Sequence, residues 1–356
     1  MLLCAAAAAH AAEEKSPFVD PQDGWFDLSN FLDQAYGAVP VVAPVTEPAV
    51  GYGAAGALIF IDRDPKAKAG TRPDLYAIGG MYTATDSWAA FGGYSGNWLQ
   101  GDLRTLAAVG YVSLNLKHYG LGDDPALSQN PIEYNLRGAM ASTSAAYRVS
   151  STPLYAGVGV VFGRTRLLQT TLGEVSNTLL SLRPLLQFDT RDNLFTPTRG
   201  LFGEAGFSFI HQSEGSWFEL LDLTAIGYTP LLIPELFLGI RAGAGLSFGD
   251  APFYLRPFVN LRGAPKLRYQ GEQAADLEVE LRWQFWKRFS LVGFGGVGGA
   301  WNGLLGFERS EAVFTGGTGF RYELARKHGL HMGADFAFGQ NGFAFYLQFG
   351  SAWMRL

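Results

Sequence analysis

Three short stretches carry residue types that could do chemistry. Gly245-Leu246-Ser247-Phe248-Gly249 fits the G-x-S-x-G pattern of a serine nucleophile. That chemistry needs a sharp strand-to-helix elbow, an acid and a histidine. No helix pattern follows Ser247, and glycine occurs 46 times in the chain, so the match implies no nucleophile. His328 and His331 suggest a metal pair, but three residues apart on a strand they point to opposite faces. "GFGGVGGAW", residues 293–301, is rich in glycine yet lacks the helix start that a phosphate loop requires. It reads as a strand whose missing side chains admit something bulky. No catalytic group, cofactor or metal is expected, and the protein is not read as an enzyme.

The stretch "NLRGAPKLRYQGEQAADLEVELRWQFW", residues 260–286, is more informative. In its second half Leu277, Val279, Leu281, Trp283 and Phe285 alternate with Asp276, Glu278, Glu280, Arg282 and Gln284. That is a strand apolar on one face and charged on the other. Arg262 and Gly263 sit just ahead of it on a long connection. Arg321 and Glu323, and His331 and Asp335 on the next segment, share the parity of the charged row.

Composition says what the two faces meet. Charged residues make up 17% of the chain, against about 25% in an ordinary soluble domain. Aromatics reach 14%, and mean hydropathy is +0.07. No apolar run approaches the roughly 18–20 residues of a membrane-spanning helix. A transmembrane β-barrel reconciles these facts, because its apolar residues are spread over every second position. A charge on the lipid face at mid-bilayer would cost about 2–4 kcal/mol, so the charged row is expected to face a polar lumen. Net charge is −5 and the pI about 5.6, which leaves no basic footprint for nucleic acid.

Strand-length segments run near 38–45, 51–62, 74–85, 88–99, 103–117, 134–148, 154–168, 177–189, 199–210, 216–229, 235–248, 274–286, 289–301, 312–324, 328–338 and 343–353. The fold class is therefore all-β: a transmembrane antiparallel barrel of about 16 strands, an even number as bacterial barrels have. Connections after even-numbered strands should be short, as at 100–102, 149–153, 230–234 and 287–288. Connections near 118–133 and 249–273 are long and follow odd-numbered strands. "DRDPKAKAGTRPD" and "TRDNLFTPTR" are longer than a minimal turn. Trp88, Trp98, Trp217, Trp283, Trp286, Trp301 and Trp353 fall near predicted strand ends, where an interfacial girdle would sit.

Upstream, "MLLCAAAAAHAAEE" reads as a signal peptide over 1–11, with Ala9-His10-Ala11 as a small-x-small cleavage site. It would remove Cys4, the single cysteine, which suits an oxidising periplasm. Residues 12–35 read as a short periplasmic segment with one helix over Asp27–Gln34, and 36–356 as the barrel.

Three segments then resemble the BamA/TamA family of the bacterial surface antigen superfamily. "FDTRDNLFTPTRG" is similar to the family's Asp-x-Arg-Asp … Pro-x-x-Gly turn, here Asp189, Arg191, Asp192, Pro197 and Gly200. "DAPFYLRPFVNLRGAPKLRYQG" resembles the approach to the family's sixth extracellular loop, with its Arg-Gly signature at Arg262-Gly263. "GTGFRYELARKHGLHMGADFAFGQNGFAFYLQFGSAW" resembles the final three strands. The resemblance covers roughly 36–353, and the order and spacing of the segments carry it.

The resemblance implies that the long sixth loop folds into the lumen and that Arg262 locks it against acidic and aromatic groups of the wall. Two departures stand out. Ala264 replaces the usual aromatic after Gly263, and Gly296 stands where the partner strand usually carries an acid. Glu278, Glu280 and Asp335 are the substitutes. No POTRA domain is expected ahead of this barrel. The resemblance also implies a weak seam between first and last strands, formed by Pro40, Val41 and Pro44 opposite Phe345, Leu347 and Phe349. Each proline lacks a backbone donor, so pairing there should be poor, and an unpaired edge can template an incoming strand. Trp353 would serve as the C-terminal signal for barrel assembly. The implied function is insertion or translocation of unfolded outer-membrane or secreted proteins in the bacterial outer membrane. Lipids, lipopolysaccharide and a separate periplasmic protein are further candidate partners. The alternative is a passive, porin-like channel or a structural barrel acting with a partner.

Overall fold

The computed structural model describes residues 16, 18–34, 37–62, 73–121, 125–169, 173–213, 217–303, 306 and 312–355. The expected signal peptide lies outside them. Sixteen antiparallel strands follow one another as a meander in a single sheet, each hydrogen-bonded to its sequence neighbours. They are β1 Gly37–Val45, β2 Gly53–Asp62, β3 Asp74–Thr83, β4 Trp88–Trp98, β5 Leu103–His118, β6 Ile132–Arg148, β7 Leu154–Gln169 and β8 Gly173–Asp189. The rest are β9 Gly200–Gln212, β10 Trp217–Pro230, β11 Leu236–Gly249, β12 Gln273–Trp286, β13 Phe289–Trp301, β14 Val313–Ala325, β15 Leu330–Gly339 and β16 Gly342–Phe349. β1 begins and β16 ends at one rim, here called proximal; the sixth loop, 250–272, springs from the opposite, distal rim.

Every expected segment is a strand, because period-2 alternation is the dominant signal in each. Leu277, Leu281, Trp283 and Phe285 stand exposed outside, and Asp276, Glu278, Glu280 and Arg282 are buried inside. The lumen is not polar all round, however. The inner row of β2–β5 carries Ala57, Ile59, Ala77, Phe91 and Leu106, opposite the charged wall of β11–β15.

The last strand corrects the expectation at its end. β16 stops at Phe349, and Gly350 takes φ +78°. A side chain there would meet the Phe195 carbonyl at 2.6 Å, so the turn requires glycine. Trp353 is consequently buried inside the barrel and not part of a surface girdle. Trp88, Trp98, Trp217, Trp283 and Trp286 do stand exposed. His328 is also off its predicted strand, in the 3-10 turn Arg326–His328, whereas His331 is buried on β15.

The N-terminal segment is docked. Its helix, α1, spans Ser29–Gln34, slightly shorter than expected. Ahead of it, residues 18–27 fold back through a Val19–Phe26 bridge. This hairpin grips the proximal turns of β12–β13 and β14–β15. Arg288 is fully buried there, its guanidinium 2.6 Å from Asp20, 2.8 Å from Asp23 and 2.6 Å from Asp27. It donates further to the Phe26 and Glu323 carbonyls, so its donors are satisfied and the desolvation cost is offset. Arg326 adds bonds to Asp20 and Asp23. Trp25 packs edge-on against Trp286 and Phe289.

Two outcomes follow from this clamp. Removing one partner of a buried ion cluster costs about 3–5 kcal/mol, so Arg288→Ala should release residues 18–34 to protease while the barrel stays folded. Burial works to raise the Asp27 carboxyl, but hydrogen bonds from Ser29, the Arg326 backbone and Arg288 outweigh it and hold it at about 2. A depressed carboxylate stabilises above its unfolded value and loses that stabilisation as pH falls through the folded one. The clamp should therefore hold at pH 5 and loosen between about pH 4 and pH 2, read as protease cleavage of the segment.

Candidate functional site: the lumenal lock and the seam

The sixth loop enters the lumen and runs beside β12. The Asn260 and Arg262 backbone N–H groups donate to Asp276 at 3.1 Å and Glu278 at 3.0 Å, matching the two-residue period of the strand. A loop inside a barrel has to find acceptors for its backbone, and the charged row supplies them. On the other side of the loop, Val259 and Leu261 lie over β13. Side chains at Gly298 and Gly296 would meet Val259 and Leu261 at 2.7 Å each. Gly296, which stands where an acid was expected, is thus the space that Leu261 fills.

All three proposed acids converge on Arg262. Its guanidinium lies 2.7 Å from Glu278, 2.8 Å from Glu280 and 2.8 Å from Asp335. Asp335, wholly buried, is also held by both terminal nitrogens of Arg321, at 2.6 and 2.9 Å. The Arg262 guanidinium sits 3.7 Å from the centre of the Phe294 ring, a cation–π contact. Arg241 pairs with Asp276 at 2.9 Å, and Arg282 reaches the Pro197 carbonyl at 3.3 Å. Arg241, Arg262, Arg282 and Arg321 thus balance Asp276, Glu278, Glu280 and Asp335, all buried. Gly263 takes φ +92° with its would-be side chain 3.0 Å from the Phe338 carbonyl, which accounts for the Arg-Gly pair.

Trp353 joins the same cluster. Its indole N–H donates to Glu278 at 2.8 Å, and its ring packs with Phe202, Ile226 and Tyr228. Gly239 makes room for it, since a side chain there would meet the indole at 2.8 Å. The turn motif holds the rest of the tail. Asp189 receives two bonds of 2.9 Å from Arg191, which also donates to the Arg355 carbonyl at 3.1 Å. Asp192 caps Thr198 and Arg199, Pro197 supplies its carbonyl to Arg282, and Gly200 turns at φ +104°. The Phe195 carbonyl accepts the Ser351 N–H at 2.6 Å. The tail and the turn motif are one unit, a link absent from the sequence expectation. The lost alternation at Gly350-Ser351-Ala352 was its only signal.

The seam is unsealed. Among the described residues β1 pairs with β2 and β16 with β15, and no ladder joins β1 to β16. Pro40, Val42 and Pro44 share the outer side of β1, where Val42 is 75% exposed, while Val41 faces inward. Phe345, Leu347 and Phe349 share the outer parity of β16, opposite in sense to Tyr346. The loop touches both sides: Gly263 N–H donates to the Tyr346 hydroxyl at 3.1 Å, and Lys266 N–H to Glu47, just past β1, at 3.2 Å. The Ser247 hydroxyl donates to the Glu272 carbonyl at 3.0 Å.

No protein-family model matches the sequence, and no curated protein matches it. Solved structures do. BamA from Haemophilus ducreyi lacking POTRA domains 1–3 superposes with a TM-score of 0.60 at 11% identity, over 88% of this chain and 70% of that one. CdiB from Acinetobacter baumannii gives 0.59 at 10% identity, over 88% of this chain and 59% of that one. CdiB from Escherichia coli gives 0.58 at 11% identity, over 87% and 61%. The fold is that of the BamA-type barrel, and this chain spans less than two thirds of either CdiB chain.

Arg262→Ala should strand Glu278 and Asp335 and cost about 3–5 kcal/mol. Arg262→Lys should recover little, because an ammonium cannot make the planar, forked contacts. Loss of the folded gel mobility on heating measures both. Gly296→Leu should expel Leu261 and expose the 260–270 loop to trypsin with the strands intact.

Proposed function

We propose that this protein is an outer-membrane insertion or translocation barrel that works through its lateral seam. The observation that carries the proposal is the missing ladder between β1 and β16, with Pro40 and Pro44 in the first strand. An unpaired edge offers backbone donors and acceptors to an incoming strand. The likeness in fold to BamA and CdiB supports the same reading. The proximal rim then faces the periplasm and the distal rim the cell exterior. The substrates are unfolded outer-membrane or secreted polypeptides. Outer-membrane lipids surround the barrel, and a separate periplasmic protein delivers the polypeptide to the docked N-terminal segment.

The lock and the tail hold the wall still while the seam moves. Loop contacts to Glu47 and Tyr346 set how far the two edges separate. Trp353, bound at Glu278, keeps the end of β16 inside. On this proposal Trp353 serves first as an anchor in the finished barrel.

Liposomes containing the purified barrel should speed the folding of a chemically unfolded outer-membrane protein at least tenfold over empty liposomes. Cysteines at Val42 and Phe345, both on the outer side of the seam, joined by a short bismaleimide in a chain lacking Cys4, should abolish the acceleration. Ion conduction by both forms without any acceleration would make the protein a passive channel.

A further inference from the structure

The outer face of β6 and β7 carries a feature that the seam does not use. On β7 the outward row Leu154, Ala156, Val158, Val160, Phe162 gives way to Arg164 and Arg166. On β6, Arg137 is the direct cross-strand partner of Arg166, and Arg164 lies opposite Ala139. Like charges directly opposite each other destabilise an antiparallel pair unless something neutralises them. Arg166 pairs with Glu174 at 2.8 Å, and Arg137 donates to the Asn135 side-chain carbonyl at 2.8 Å. Arg164 makes no ion pair among the described residues. Among the described residues, three exposed guanidiniums therefore share one carboxylate.

Their depth matters. The nine residues Leu154–Phe162, at about 3.3 Å each and tilted as barrel strands are, climb close to the roughly 25 Å apolar band of an outer-membrane barrel. Arg164 and Arg166 thus begin where the hydrocarbon ends, on the distal side. Below them lies an outward groove of about 720 Å³, bounded by Ile78, Ala90, Val109, Ala141 and Phe162, with Arg164 at its edge. Small residues on β4 and β6 leave this stretch of wall recessed. The groove crosses five strands, β3 to β7, about 19 Å at the usual strand spacing. That is wider than one acyl chain.

We propose that this surface binds a phosphorylated, multiply acylated glycolipid of the outer leaflet. Its phosphate sits among Arg137, Arg164 and Arg166, and its acyl chains lie in the groove. Guanidinium forks match phosphate oxygens and keep their charge at any working pH. The groove selects a lipid over a soluble phosphate. The proposal rests on the membrane orientation given above but not on insertion activity, which is assayed in liposomes free of glycolipid and can fail independently.

The test is native mass spectrometry of the intact barrel, re-lipidated with phosphatidylcholine plus either a bisphosphorylated hexa-acyl glycolipid or phosphatidylglycerol, then washed in detergent. The wild-type chain should retain the glycolipid at least tenfold better than phosphatidylglycerol. The combined R137Q, R164Q and R166Q variant should lose that retention at least tenfold. Should that variant fail to fold, R164Q alone, which breaks no hydrogen bond or ion pair among the described residues, should lose it at least threefold. Equal retention by the variant that folds, equal binding of phosphatidylglycerol, or displacement of the glycolipid by millimolar inorganic phosphate would overturn the proposal.

Discussion

The burial of Arg262 is the constraint on which the rest of the lumen depends. A guanidinium taken out of water needs several well-placed acceptors to recover its hydration. Here it hydrogen-bonds Glu278 and Asp335, has the Glu280 carboxylate at ion-pair distance, and lies on the face of Phe294. Each of these comes with its own requirement. Asp335 is also gripped by Arg321, and the whole set is balanced only with Arg241, Asp276 and Arg282 included. A sixteen-stranded barrel is too wide for its own side chains to fill. The sixth loop fills one side instead, and a loop in that position must hydrogen-bond its backbone. The alternating carboxylates of β12 meet both needs, which is why so polar a strand can lie in a barrel whose outer face is apolar.

With that cluster fixed, the two seam strands are held at their ends rather than by each other. β16 is anchored below through Gly350, Ser351 and Trp353, and from within through Tyr346. β1 is anchored through the docked hairpin. Gln34 and Gly37 are three residues apart, so the start of β1 lies within about 11 Å of the end of α1. That helix sits against the β14–β15 turn, where Ser29 accepts the Lys327 N–H. The N-terminal segment therefore bridges the proximal end of the seam by a covalent path. Among the described residues, the sixth loop's hydrogen bonds to Glu47 and Tyr346 bridge the edges non-covalently toward the distal end, so separation is geometrically easier there.

Much of this was legible in the sequence because strand alternation is local. Leu277 through Phe285 declares a lipid face and a lumen face with no knowledge of any other strand. The acids for Arg262 were also legible, because their parity placed them inside. Gly296 reads both as the loss of the usual acid and, within the glycine run 293–301, as room for something bulky; that the occupant is Leu261 is visible only in the fold. Trp353 reads as a surface aromatic from sequence, because its partners Tyr228 and Glu278 are distant along the chain and only the break at Gly350 redirects it. The Asp20, Asp23 and Asp27 clamp on Arg288 was invisible for the same reason. Such pairing is set by which turns the closed barrel brings to one rim, and no periodicity records it.

The inner wall is divided, and the division bears on what can move. From β11 to β15 it is charged, paired and filled by the loop. From β2 to β5 it is mostly small or apolar, with Ala57, Ile59, Ala77, Phe91 and Leu106, and hydrogen-bonding side chains such as Arg104, bonded to Gln187, and Thr83, bonded to the Val50 carbonyl, lie toward the strand ends. Ion pairs in a low-dielectric lumen fix geometry, because each displacement exposes an uncompensated charge. Small apolar surfaces have no such preference for register. On the proposed function, a polypeptide entering beside β1 would meet this largely apolar wall, and the wall beside β16 would stay fixed by its charges. A seam between a held edge and a permissive one can open on one side without loosening the lock that keeps the barrel together.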